Sequence, residues 1–200
     1  MSSREDDSLP PYSYVPGGPW PHPVSSPQGH LFNQSHPPVK PIEGDAWQNS
    51  PAYLRGHRLF DAGYYWEAHE SWEALWHAHG RKGPTAILLQ ALIKLAAAGV
   101  KIREGRTAGA ITHASRAADL FDRALQDKGP CQLGLDLKEC IAIARAIAKA
   151  PPVDRGPSGA RVRRVFQFSL APRIQNGPPA NTESQLQNSP TFDPPTSRRL

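Results

Sequence analysis

The chain has 200 residues, of which 38% are hydrophobic, 22 are proline and 20% are charged, with a formal net charge of +5. So low an apolar fraction with so much proline excludes a chain folded from end to end and leaves room for one domain flanked by tails. Two cysteines exclude a disulfide framework, and their spacing at Cys131 and Cys140 is not that of a zinc pair.

The prolines divide the chain. Eleven lie in residues 1–51, two in 52–150 and nine in 151–200. Charge divides it in the same places, with net values of −3, +4 and +4. Residues 52–150 therefore read as the folded domain, about a hundred residues with one modest core. Residues 1–51 include "LPPYSYVPGGPWPHPVSSPQGHLFNQSHPPVKP", too poor in apolar surface to offset its own ordering entropy. They read as a disordered proline-rich tail with local polyproline conformation. Residues 151–200 read as a mostly disordered basic tail.

"MSSREDDSLP" has acidic residues where a secretory signal would be basic and then apolar. The apolar run "AILLQALIKLAAAGV" is interrupted by Gln90 and Lys94 and is too short to span a bilayer unaided. The expectation is a reduced, cytoplasmic protein without a membrane partner.

Five helices are expected in chain order. The first covers 52–61 and ends near Gly63. The second covers 64–79 and stops at Gly80. The third opens at Pro84, where the missing N–H costs nothing, and runs to about Glu104. The fourth, capped by Thr107, reaches about Lys128 before Gly129-Pro130. The fifth, capped by Asp136, ends at Pro151-Pro152. No strand pattern and no solenoid repeat occur inside 52–150. The fold class is all-α, a compact bundle of about five helices. After it, "RVRRVFQFSL" (161–170) alternates weakly and reads either as an extended arm docked on the bundle or as a partly ordered tail.

The second helix contains "EAHESWEALW". At 100° per residue, Tyr64, Leu75, Ala68, Trp72, Tyr65 and Trp76 fill one arc, the core face. His69, Glu73, Trp66, His77 and Glu70 follow in angular order. A tryptophan in the middle of that polar sector implies that this side is covered too, so that His69, Glu70 and Glu73 are half-buried and need partners. The third helix is apolar almost all round, with one polar stripe of Gln90, Lys94 and Lys101, and so reads as the central helix. Its stripe is expected to face the carboxylates, giving a constellation of His69, Glu70 and Glu73 against Gln90 and Lys94. His113 falls in the apolar arc of the fourth helix, a position that suits a core histidine as well as a site residue.

Three readings of the cluster stand side by side. His69 and Glu73, at i and i+4, can share one divalent metal, and a histidine with carboxylates suits zinc, manganese or iron. "HESWE" lacks the second histidine of the zinc-protease motif, His77 is about 12 Å from His69 along the axis, and Lys94 would repel a cation. Alternatively, His69, Glu70 and Glu73 do general acid–base work, one carboxylate holding a raised pKa. Finally, the His/Glu/Gln cluster is a structural polar network that fixes helix register. No phosphate loop is present, and "GRKGP" is a weak anion site at best.

These residues resemble a family. "LFDAGYYWEAHESWEALWHAHG" followed by "LLQALIKLAAAGVKIREGRTAGAITHASRAADLF" is similar to the domain of unknown function 309 family, whose pattern is F-x-x-G-x-Y/F-x-E-A-H-E-x-x-E-x-x-W. Phe60, Gly63, Tyr65, Glu67, His69, Glu70, Glu73, Trp76, Gln90, Gly109 and Ala110 stand at matching positions, over roughly residues 53–125. The resemblance implies a compact helical bundle and no particular activity. Lys94 stands where many members carry a second glutamine, which makes a shared metal site less expected here.

The rival to a site-bearing protein is a non-catalytic interaction module. Trp47, Trp66 and Tyr53 would be its exposed anchors, or the proline-rich tail its ligand, with a protein partner or a second copy of the chain. Nucleic acid ranks last. The basic excess of the domain is small, and "RVRR" and "SRR" are not a nucleic-acid motif.

Overall fold

The computed structural model describes residues 8–34, 38–156 and 161–173. Five helices carry the fold: α1 (Pro51–Ala62), α2 (Tyr65–Ala78), α3 (Pro84–Arg103), α4 (Thr107–Lys128) and α5 (Leu137–Lys149). Each packs on the next in sequence, as short connections require. The expected all-α class therefore holds, and the helix ends agree to within a residue or two.

The punctuation acts as its chemistry predicts. Ser50 caps α1 by accepting from Tyr53 N–H, with Pro51 in the first turn. Gly63 closes α1 in the left-handed region at φ 91°, and a side chain there would also strike the Arg163 backbone. Asp136 caps α5 by accepting from the Lys138 and Glu139 amides. Thr107 does not cap α4; it is already the first helical residue, and Arg106 stands at the cap without a side-chain bond.

Helix α3 is the central element, with 13 of its 20 residues buried. By length and composition it would cross a bilayer, longer than the apolar run alone suggests, but 67% of its apolar window is buried inside the bundle. Gly99 lets α2 approach it closely, since a Cβ there would lie 2.7 Å from the Tyr65 ring. The core wraps this contact with Trp72, Leu75, Leu88, Leu92, Phe121 and Leu137, all essentially inaccessible.

A short antiparallel pair, β1 (Cys131–Gln132) and β2 (Leu135–Asp136), departs from the expectation of no strand. Its two-residue turn puts Leu133 (φ 48°) and Gly134 (φ 77°) both in the left-handed region, the geometry of a tight hairpin. A left-handed leucine costs roughly 1–2 kcal/mol. Two tertiary bonds hold it: its N–H donates to Asp45 Oδ1 (2.8 Å), and its carbonyl accepts from Tyr53 Oη (2.9 Å).

Residues 161–173 lie along the bundle. The Val165 N–H donates to Tyr65 Oη (2.8 Å), the Leu170 N–H to Asp61 Oδ1 (2.8 Å), and Ser169 Oγ to Asp61 Oδ2. Phe166 is buried and stacks on Phe60 at 5.5 Å. Asp154, on the lead-in to this arm, bridges Arg103 Nε and Arg163 at 2.9 Å each, and Arg103 also donates to the carbonyls of Arg161 and Arg163.

The proline-rich segment 8–34 forms turns and lies against the bundle, with Tyr12, Ser13 and Val15 buried. Composition alone denied this stretch a core of its own, and here it borrows one. Of the tails expected at 1–51 and 151–200, residues 1–7, 35–37, 157–160 and 174–200, with "SRR", lie outside the described residues.

Candidate functional site

Helix α2 presents its aromatic arc to the core as expected, with Tyr65, Ala68, Trp72 and Leu75 buried and Trp76 half-buried. The polar sector carries His69, Glu70 and Glu73, all half-buried. Their nearest ligand atoms lie within 4.8 Å of one another, the one convergence of three such side chains among the described residues. His69 Nε2 stands 3.6 Å from Glu73 Oε2. Glu73 lies four residues from His69 and three from Glu70, the two spacings at which side chains on one helix meet.

The electrostatics of this cluster are unbalanced. Burial, and next the charge of Glu73, push the Glu70 carboxyl up to about 7. Burial also lowers the His69 imidazole, against the opposing pull of Glu73 and of the Ile93 backbone on α3, while Lys94 lowers it further. The histidine is therefore held toward its neutral, ligating form.

The neighbouring residues are placed differently from the expectation. Gln90 and Lys94 are half-buried on α3, yet neither makes a hydrogen bond or ion pair with His69, Glu70 or Glu73 among the described residues. The direct link between the two helices runs instead from His69 to the Ile93 backbone. The rest of the α3 stripe turns to another partner: Lys101 Nζ pairs with Glu104 at 2.9 Å. Lys94 acts at longer range, since its charge lowers both His69 and His113. His113 on α4 is half-buried, lowered first by burial and then by Lys94, and its Nδ1 is buried without a hydrogen-bond partner. His77 bonds Arg81 (3.0 Å) and takes no part in the cluster.

Trp66 marks a covered surface, as its position implied, and the cover is the N-terminal segment. The rings of Tyr14 and His22 meet its indole edge-on at 5.5 and 5.4 Å. The other expected anchors are core residues: Tyr53 is wholly buried and Trp47 is 6% exposed. Neither is available to a partner.

Glu67 is the residue that the wheel reading missed as a participant. It is buried, and both its oxygens are occupied: Oε2 accepts from Ser13 Oγ (3.0 Å) and Oε1 from the Tyr14 N–H (2.8 Å). Burial is the largest influence and pushes its carboxyl up to about 7, against these two bonds, while Glu70 raises it further. No local signal marks it, since its bonds come from chain remote in sequence, while Ser71 on the same face donates to the Ala52 carbonyl of α1 (2.8 Å). Glu67, Glu70 and Glu73 thus form a row at successive three-residue steps, one latched to the N-terminal segment and two not.

Residues 53–113 match the family model described as Domain of unknown function (DUF309), which runs from α1 through the start of α4 and contains the whole cluster. No curated protein and no solved structure matches the chain.

Proposed function

We propose, from the premise that residues 53–113 belong to this family of helical domains, that the protein binds a divalent cation through His69, Glu70 and Glu73. The observation that carries the reading is the convergence of their three ligand atoms within 4.8 Å on one face of α2. One neutral imidazole and two carboxylates form a donor set suited to zinc or manganese, with further coordination positions left to water. A cation there would relieve the like charge that raises Glu70.

The rival reading, a polar network that fixes register, requires its members to satisfy one another. Gln90 and Lys94 make no direct bond to the cluster, which favours a ligand over a network. Lys94 works against the cation by simple repulsion, and its effect is a matter of degree at its distance.

Calorimetric titration of the full chain with zinc and with manganese tests the proposal. Saturable one-to-one binding, lost in His69→Ala and in Glu73→Gln while the helical circular dichroism persists, is the expected result. Equal binding by wild type and both variants would remove the assignment.

A further inference from the structure

The N-terminal segment touches α2 at Glu67, one helical turn from Glu70. Two donors of different kinds converge on this one carboxylate, the Ser13 hydroxyl at 3.0 Å and the Tyr14 backbone amide at 2.8 Å. Tyr14 and His22 flank Trp66, the residue before it. Segment 8–34 is also tied within itself, since Tyr12 Oη donates to the Pro21 carbonyl (3.0 Å) and the Tyr12 ring stacks on Trp20 at 5.2 Å. It therefore docks as a preformed piece, which also meets α1 where Arg55 donates to the Ser8 carbonyl (3.5 Å). A carboxylate with both oxygens accepting is a charge-assisted latch, and its strength follows the negative charge on it. Residues three apart on a helix are neighbours, so Glu70 repels the charge on Glu67 whenever both are ionised.

We infer that residues 8–34 are a strap latched to α2 through Glu67, and that closure of this strap and cation binding at His69, Glu70 and Glu73 favour one another. The inference rests on the cation site proposed above. A cation on Glu70 removes the repulsion that weakens the latch, so the bonds from Ser13 and Tyr14 tighten. By reciprocity, a closed strap shields the acidic row from water and raises cation affinity by the same factor. The protein so built reports cation occupancy as the position of its N-terminal segment, and the aromatic surface at Trp66 is exposed chiefly in the cation-free form.

Amide exchange at Tyr14, followed on the full chain with and without zinc, tests this. Zinc should slow the exchange by about fivefold or more, the lower end of ordinary coupling between sites. Glu67→Gln should still bind zinc, several-fold more weakly, with fast Tyr14 exchange that zinc no longer changes. Ser13→Ala, which leaves the helix untouched, should show a smaller loss in the same direction. Zinc binding to the wild type without any change at Tyr14, or an unchanged response in Glu67→Gln, would overturn the coupling. Absence of zinc binding to the wild type would instead overturn the site itself, and the coupling with it.

Discussion

Two polar clusters of this molecule have similar ingredients and opposite bookkeeping. Around Asp154, two guanidiniums share one carboxylate at 2.9 Å, and Arg103 spends its remaining donors on two backbone carbonyls. On α2, His69, Glu70 and Glu73 offer one ion pair at 3.6 Å and otherwise face one another. The first cluster closes on itself and fastens the C-terminal arm to α3. The second gathers like charge at one place and leaves its donor atoms pointing at a shared point. The first set is closed by its partners and holds the fold together, whereas the second is a half-buried convergence on one helix face, the feature on which the proposed cation site rests.

This contrast can be broken or sharpened in order of expected effect. Arg103→Met removes the clamp and leaves the buried Asp154 with one guanidinium, that of Arg163, beside the Gly156 amide. It should cost on the order of 3 kcal/mol in urea unfolding and release the arm, the usual result of breaking a buried pair. Stability within about 0.5 kcal/mol of wild type would show that the Asp154 cluster is ornamental.

Acid should act next, through His57. This imidazole is wholly buried between Tyr53 and Trp72, and burial, opposed in part by the Leu170 backbone, lowers it to about 3. Unfolded, it titrates near 6.5. Below 6.5 the unfolded chain therefore carries the extra proton, and stability falls as pH falls until about 3, by up to about 1.4 kcal/mol per unit. Glu67 and Glu70 act in the opposite sense: held up to about 7 against an ordinary 4.5, they withdraw stability as pH rises between those values. Unfolding midpoints measured from pH 3 to 8 should thus fall at both ends of a mildly acidic optimum. His57→Phe should flatten the acid limb alone; a variant as acid-sensitive as wild type would acquit His57.

His69→Ala and Glu73→Gln should change stability by less than about 1 kcal/mol, because the 3.6 Å pair between them is partly open to solvent and such pairs contribute little. A loss above about 2 kcal/mol in thermal unfolding of either variant would reinstate the register-fixing network. The smallest effect belongs to Lys94→Gln, which removes a nearby positive charge. It should raise cation affinity roughly two- to fivefold, the size of a Coulomb repulsion relieved through a wet surface. Weaker binding in that variant would mean that Lys94 supports the site.

Much of the fold could be read in advance because its signals are local. Gly63, Gly80, Pro84 and Gly129 act through their own backbone, and the Asp136 side chain caps amides two and three residues on. The aromatic arc of α2 and the all-apolar α3 follow from periodicity alone. His69, Glu70 and Glu73 were legible for the same reason, as neighbours on one helix. What was not legible depends on chain remote in sequence. The hairpin at Leu133 exists because Asp45 and Tyr53 hold a conformation that leucine resists. Glu67 became a participant because Ser13 and Tyr14, more than fifty residues away, supply its bonds. Gln90 and Lys94 were placed on the stripe by periodicity, but a helical wheel cannot say whether side chains on two helices bond. Trp47 and Tyr53 were read as anchors because their covers, the hairpin and the chain before α1, show no periodicity.

The most direct test is metal content by mass spectrometry on the full chain purified without chelator, beside His69→Ala. The account predicts close to one divalent metal per chain in the wild type and little in the variant. A metal-free wild type that also fails to take up zinc or manganese would contradict it and return the α2 cluster to a structural role.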